Sequence, residues 1–155
     1  MVVLAIIVAL AIFVYYTGVY TYFISREISE DMPKSTTKTE TEIRTIKQGQ
    51  FADADFFHKG SGEAKIISYA DGKNTLRFEN FDITNGPDLF VYLSDSATPG
   101  KNIESLGNFL DLGMLKGNKG NQNYDLPAQI DLEKYKSVVI WCKQFGVLFP
   151  YAIFK

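Results

Sequence analysis

The chain of 155 residues carries 18 acidic and 16 basic side chains, a net charge of −2, and 46% of it is hydrophobic. That balance excludes the clustered basic footprint of a nucleic-acid-binding protein. A single cysteine, Cys142, excludes an internal disulfide framework and any multi-thiolate metal centre, and a single histidine, His58, excludes a multi-histidine one.

Residues 2–24 read VVLAIIVALAIFVYYTGVYTYFI without a charge. As one continuous helix they would reach roughly 34 Å, enough to cross a hydrocarbon core of about 30 Å. This predicts a transmembrane anchor over residues 1–24. Length and the missing basic n-region argue against a cleaved secretory peptide. Tyr15, Tyr16, Tyr20 and Tyr22 crowd the C-terminal half, as tyrosines do at headgroup level. Counting Arg26, Lys34 and Lys38 alone would favour a cytoplasmic C-terminus.

Residues 25–47 are rich in Thr, Ser, Lys and Glu, and Pro33 blocks helix continuation. A stretch of that composition is predicted to be a flexible polar tether. Ile43 and Ile46 are placed to begin the folded part.

Residues 48–155 form the remaining domain. Short runs of Val, Ile, Phe, Tyr and Leu alternate there with Gly, Asn, Asp and Pro clusters, the pattern of an all-β domain. Residues 63–69 and 75–81 flank a turn containing Gly72 and are predicted to pair as a hairpin, with Ala64 and Ile66 facing Leu76 and Phe78. The turn 85–88 launches a central strand over 89–94. Residues 103–115 read as an edge strand or short turn, and 113–124, with Gly113, Gly117 and Gly120, as a long turn. Residues 137–143 and 147–154 make a second hairpin, with Pro150 marking an edge or a bulge. The sum is about seven or eight short antiparallel strands, which predicts a β-sandwich, with a small barrel as the alternative.

Several blocks in this domain resemble the DM13 family. They are HKGSGEA (58–64), LRFENF (76–81), NGPDL (85–89), VYLS (91–94), LKGNKGNQNY (115–124) with Leu126-Pro127, and VVIWC (138–142) with Phe145, Val147, Phe149 and Ala152. The resemblance covers about 48–154. It implies a β-rich extracellular module, of the kind found beside DOMON and cytochrome b561-type domains. It also implies a cysteine at position 142 and a proposed redox or electron-transfer role. The extracytoplasmic habit of the family outweighs the Lys/Arg count, so the expectation is a single-pass protein of the cell membrane with its soluble domain outside.

Cys142 is the redox candidate. Alternation puts Val138, Ile140 and Cys142 on one strand face and Val139, Trp141 and Lys143 on the other. Three readings stand: an inert core thiol, a redox thiol or cofactor ligand, and an intermolecular disulfide. With no resolving cysteine, dithiol exchange within the chain is excluded, so electron transfer requires a bound cofactor or partner. His58 and Met114 are the candidate cofactor ligands, with Cys142 and Met32 the other soft donors. The cofactor itself is not identified. Asp88, Asp95 and Asp111 lack calcium-loop spacing, and 116–123 lacks the ending of a phosphate loop, so no metal site is assigned. No hydrolytic constellation is present. The expected partners are the membrane, through residues 2–24, and a redox or cell-surface protein. The alternative function is a non-catalytic binding or adhesion module using the loop 113–123.

Overall fold

The computed structural model describes residues 1–33 and 43–155. It opens with α1 (Val2–Thr17), none of whose residues is buried. Gly18 ends the helix in the left-handed region, at φ 67°, and its N–H donates to the Tyr15 carbonyl. A Cβ at Gly18 would stand 2.7 Å from Cβ of Pro87, so only glycine lets the chain turn this close to the domain. A short 3-10 turn, Val19–Phe23, follows.

This corrects the expected span over residues 2–24. A helix of 16 residues is about 24 Å long. Among the described residues no helix is long and apolar enough to cross a membrane. Hydropathy averages over Gly18, whereas the backbone breaks there.

The expected tether is also corrected where it is described. Residues 34–42 lie outside the described residues. Before them, β1 (Glu27–Ser29) pairs in parallel with β7 (Lys119–Leu126). After them, β2 (Arg44–Ala52) is already part of the sheet. Glu30 explains why the first piece docks. Its carboxylate accepts from Lys116 Nζ at 2.8 Å and from the Asn123 N–H at 2.7 Å, and its carbonyl accepts from Arg77.

The other strands are β3 (Gly60–Ser68), β4 (Asn74–Ile83), β5 (Leu89–Ser94), β6 (Phe109–Met114), β8 (Ser137–Cys142) and β9 (Val147–Ile153). The fold is mostly β, as expected. The two separate layers of a sandwich are replaced by one nine-stranded sheet, ordered β1-β7-β4-β3-β2-β9-β8-β5-β6 and curled into a half-barrel. β2 makes the sheet continuous: Gln50 still pairs with β3, whereas Phe51 and Ala52 pair with β9. Gly49 permits the crossing, because any Cβ there would collide with the Ile153 carbonyl.

Both predicted hairpins form, and the first has the predicted residues facing each other. Ala64 faces Phe78 and Ile66 faces Leu76. β8 and β9 pair, with a register shift between Val139 and Trp141 that puts Phe149-Pro150 in a bulge and spares the ladder a missing N–H. The interior of the half-barrel holds Ala64, Ile66, Leu76, Phe78, Val91, Leu93, Val138, Ile140 and Phe149. Phe51 meets Phe78 and Phe81 edge to face at 5.0 and 4.7 Å. A second cluster lies on the outer face, with Tyr92, Val139, Trp141 and Leu148 covered by Leu106. β8 is therefore buried on both faces.

Candidate functional site

Cys142 ends β8, opposite Leu89 of β5 and Val147 of β9. It has no exposed surface and belongs to the interior cluster with Val138 and Ile140, as alternation predicts. Lys143 points the other way. Its ammonium lies 3.5 Å from the centroid of the Phe90 ring and pairs with Asp111 at 2.8 Å.

The thiol donates to the Pro87 carbonyl at 3.0 Å. Burial pushes its pKa up, and the charge of Asp88 adds to that. The backbone N–H groups of Phe145 and Gln144 act against this rise without cancelling it. The group is therefore a neutral thiol at physiological pH. A buried neutral thiol is a poor nucleophile, and no partner sulfur reaches it without local opening of the fold.

Around it stand aromatic residues whose grouping the sequence did not show. Phe149 packs against Tyr22 at 6.3 Å and against His58 at 4.3 Å between ring centroids. The Tyr22 phenol is near enough to Cys142 and Asp55 to interact electrostatically with both. The first turn after α1 thus covers one end of the half-barrel, with the thiol beneath it.

His58 is held rather than free. Asp55 Oδ2 bonds its Nδ1 at 2.8 Å, and Asp55 Oδ1 accepts from the backbone N–H groups of Phe57 and His58. The side-chain and backbone bonds from His58 pull the Asp55 carboxyl down to about 2, in spite of some desolvation. The pairing leaves Nε2 as the ring atom available for another partner. The spacing of Asp55 and His58 was a visible clue, since an Asp three residues ahead in a turn commonly accepts from the backbone.

The two candidate cofactor ligands have different neighbours. His58 sits on Phe149, while Met114, at the end of edge strand β6, lines a cleft with Thr21, Arg26 and Pro87. Among the described residues no three His, Cys, Asp or Glu side chains are grouped to hold a metal ion. Two of the three aspartates bind through their side chains, and Asp88 contributes its backbone. The Asp88 carbonyl accepts from the Lys143 N–H, Asp95 binds Asn108, and Asp111 binds Gly113 N–H and Lys143.

The long turn expected over 113–124 is corrected. Lys119 onward is strand β7, between β1 and β4. Gln122 is fully buried and exchanges two bonds with the backbone of Gly117, and Tyr124 donates to it. Asn118 ties the incoming chain down. Its Oδ1 accepts from the Arg26 N–H at 2.7 Å, and its amide donates to the Ile83 carbonyl. The polar block that looked like a binding loop is the seat of residues 25–31.

Between that seat and the sheet opens a cleft of about 730 Å³, walled by Tyr22–Ser25 on one side and by Asp53, Lys59, Asp82 and Lys119 on the other. Its charges are paired internally, Lys59 with Asp53 at 2.9 Å and Lys119 with Asp82 at 3.0 Å.

Comparison with known proteins gives one match. Residues 50–154 fit the family model described as Electron transfer DM13. No curated protein and no solved structure matches the chain.

Proposed function

The chain belongs to the DM13 family, and from that membership we propose that it is an electron-transfer module whose redox cofactor or redox partner comes from outside the chain, with Cys142 on the electron path. The observation that carries this is the family match over residues 50–154, which takes in β3 to β9, with the one cysteine at the capped end of the half-barrel. The geometry narrows what Cys142 does. Without a second thiol it cannot complete a disulfide within the chain. As a buried neutral thiol it is not the attacking group either. Its part is that of a short-range contact, with the Tyr22, Phe149 and His58 rings between it and the surface.

The test uses the full chain and its C142A variant. Both are titrated with redox mediators while the visible spectrum and the free-thiol count are followed. Without a cofactor the chain is expected to stay colourless with Cys142 reduced; with haem added as the probe cofactor, identical spectra and reduction potentials for the two chains would sink the role assigned to Cys142.

The module is held at a lipid surface by α1. A helix that is apolar all round and fully exposed cannot rest in water, and residues 2–25 carry no charge. The domain faces the extracytoplasmic side, in line with the family habit. An E133C variant, at a side chain 84% exposed, should react with a membrane-impermeant maleimide on intact cells. Labelling only after permeabilisation would put the domain inside.

A second reading, a binding module without redox chemistry, is favoured by the 730 Å³ cleft, which is open and mixes apolar and charged walls. Deleting 113–123 does not test it, because the deletion would remove five of the eight residues of β7. The K119A and D82A variants do, since they alter the cleft wall and leave the ladder intact.

A further inference from the structure

The turn between β2 and β3 holds two large apolar side chains in solvent, Phe56 at 79% and Phe57 at 74% exposure. The turn is not slack. Asp55 accepts from the N–H groups of Phe57 and His58, the Ala54 N–H donates to the His58 carbonyl, and the Thr84 hydroxyl donates to the Phe57 carbonyl. With its backbone satisfied and His58 turned inward onto Phe149, the turn presents the two phenyl rings outward as a fixed edge-to-face pair, 5.2 Å apart. Adjacent rigid apolar rings facing water mark a contact surface.

Their position says what the surface meets. Asp53 and Lys59 at the base of this turn, and Thr84 beside it, wall the same cleft as Tyr22–Ser25. Phe23, 87% exposed, lies on that second wall. Tyr22 and His58 rest on the same Phe149 ring. The turn and the exit of α1 therefore share one end of the molecule. Lys59 is paired with Asp53, and Asp55 is hydrogen-bonded to His58, so no basic patch selects an anionic surface.

We propose that the 53–59 turn is a second bilayer contact, which inserts Phe56 and Phe57 at the headgroup–acyl boundary of a neutral membrane and so fixes how the domain stands on it. This rests on the reading of α1 as a membrane attachment. The pattern is that of interfacial aromatic anchors, in which rings enter the boundary while the polar base of the turn stays wet.

The test takes the full chain with F57W, in vesicles of phosphatidylcholine carrying acyl chains brominated near the headgroup. The native Trp141 is 4% exposed and supplies the baseline. The expected result is a blue-shifted emission and strong quenching of the F57W signal, unchanged by added salt. A chain that floats with the vesicles while the F57W emission stays that of an indole in water overturns the inference and leaves the attachment by α1 intact. A chain that does not float at all overturns both. A blue shift without lipid that grows with protein concentration assigns the rings to a second copy of the chain and overturns the bilayer contact. Quenching that needs phosphatidylglycerol and vanishes in salt overturns the neutral-membrane mode.

Discussion

At position 142 a thiol fills a place that an aliphatic side chain would otherwise fill, and its proton is held by the Pro87 carbonyl. Iodoacetamide should leave the native chain unlabelled at neutral pH and modify it stoichiometrically in denaturant; labelling without denaturant would mean that the capped end opens readily. The same burial predicts a pH effect. The unfolded thiol ionises near pH 9, and the folded one keeps its proton to higher pH. The unfolded chain therefore loses protons first, and stability falls as pH rises through about 9. C142A should flatten that decline, at a cost of about 1–2 kcal/mol at neutral pH for the lost packing. Asp55 behaves in the opposite sense. Its carboxyl is held down at about 2, so its contribution is present above the ordinary value of 3.8 and disappears as pH falls through about 2. Thermal melts of D55N should lack that part of the acid loss. The orientation of Cys142 was legible, because strand alternation fixes faces. The partners of the thiol were not, since Tyr22 and Pro87 come from distant turns that no local pattern links to β8.

At the scale of elements, the parallel pairing of β1 with β7 depends on Gly120, where any Cβ would collide with the Ile28 carbonyl and where φ is already 92°. G120A should displace β1 and cost about 1–3 kcal/mol, with amide exchange speeding up in residues 27–31 and not in β8. Unchanged exchange there would mean that Glu30 and Asn118 hold the segment by themselves. Which elements could be read in advance follows from where their energy comes from. The β3–β4 and β8–β9 hairpins bury alternate apolar side chains beside a turn with its own chemistry, so the pattern is local. β7 reads KGNQNYDL, and its buried Gln122 is satisfied by the backbone of Gly117 rather than by apolar contact. A strand stabilised by polar complementarity to its neighbours has no apolar period to detect. β1 has only three residues, and its pairing partner lies far along the chain.

At the scale of the whole molecule, the choice between two layers and one curled sheet was beyond periodicity, since both bury alternate residues on one face. It is settled by β2, which changes neighbour at Phe51. The full chain should float with phosphatidylcholine vesicles in a density gradient, and an I6E/L10E double variant in α1 should leave it at the bottom; flotation of that variant would assign the attachment to the domain itself. Such a substitution leaves the half-barrel untouched, because α1 buries nothing against it.

The parallel ladder between β1 and β7 also imposes an order in time. Glu27 finds its place beside Lys119, so during synthesis the apolar N-terminus emerges well before its seat exists. The helix is free to meet a lipid surface while the sheet is still unmade, and residues 25–31 can dock only once β7 has joined β4. The cap over Cys142 is then the last part of the molecule to close and the first to let go. Contacts made that late are absent from the folding transition state, so weakening them should hasten unfolding and leave the folding rate unchanged.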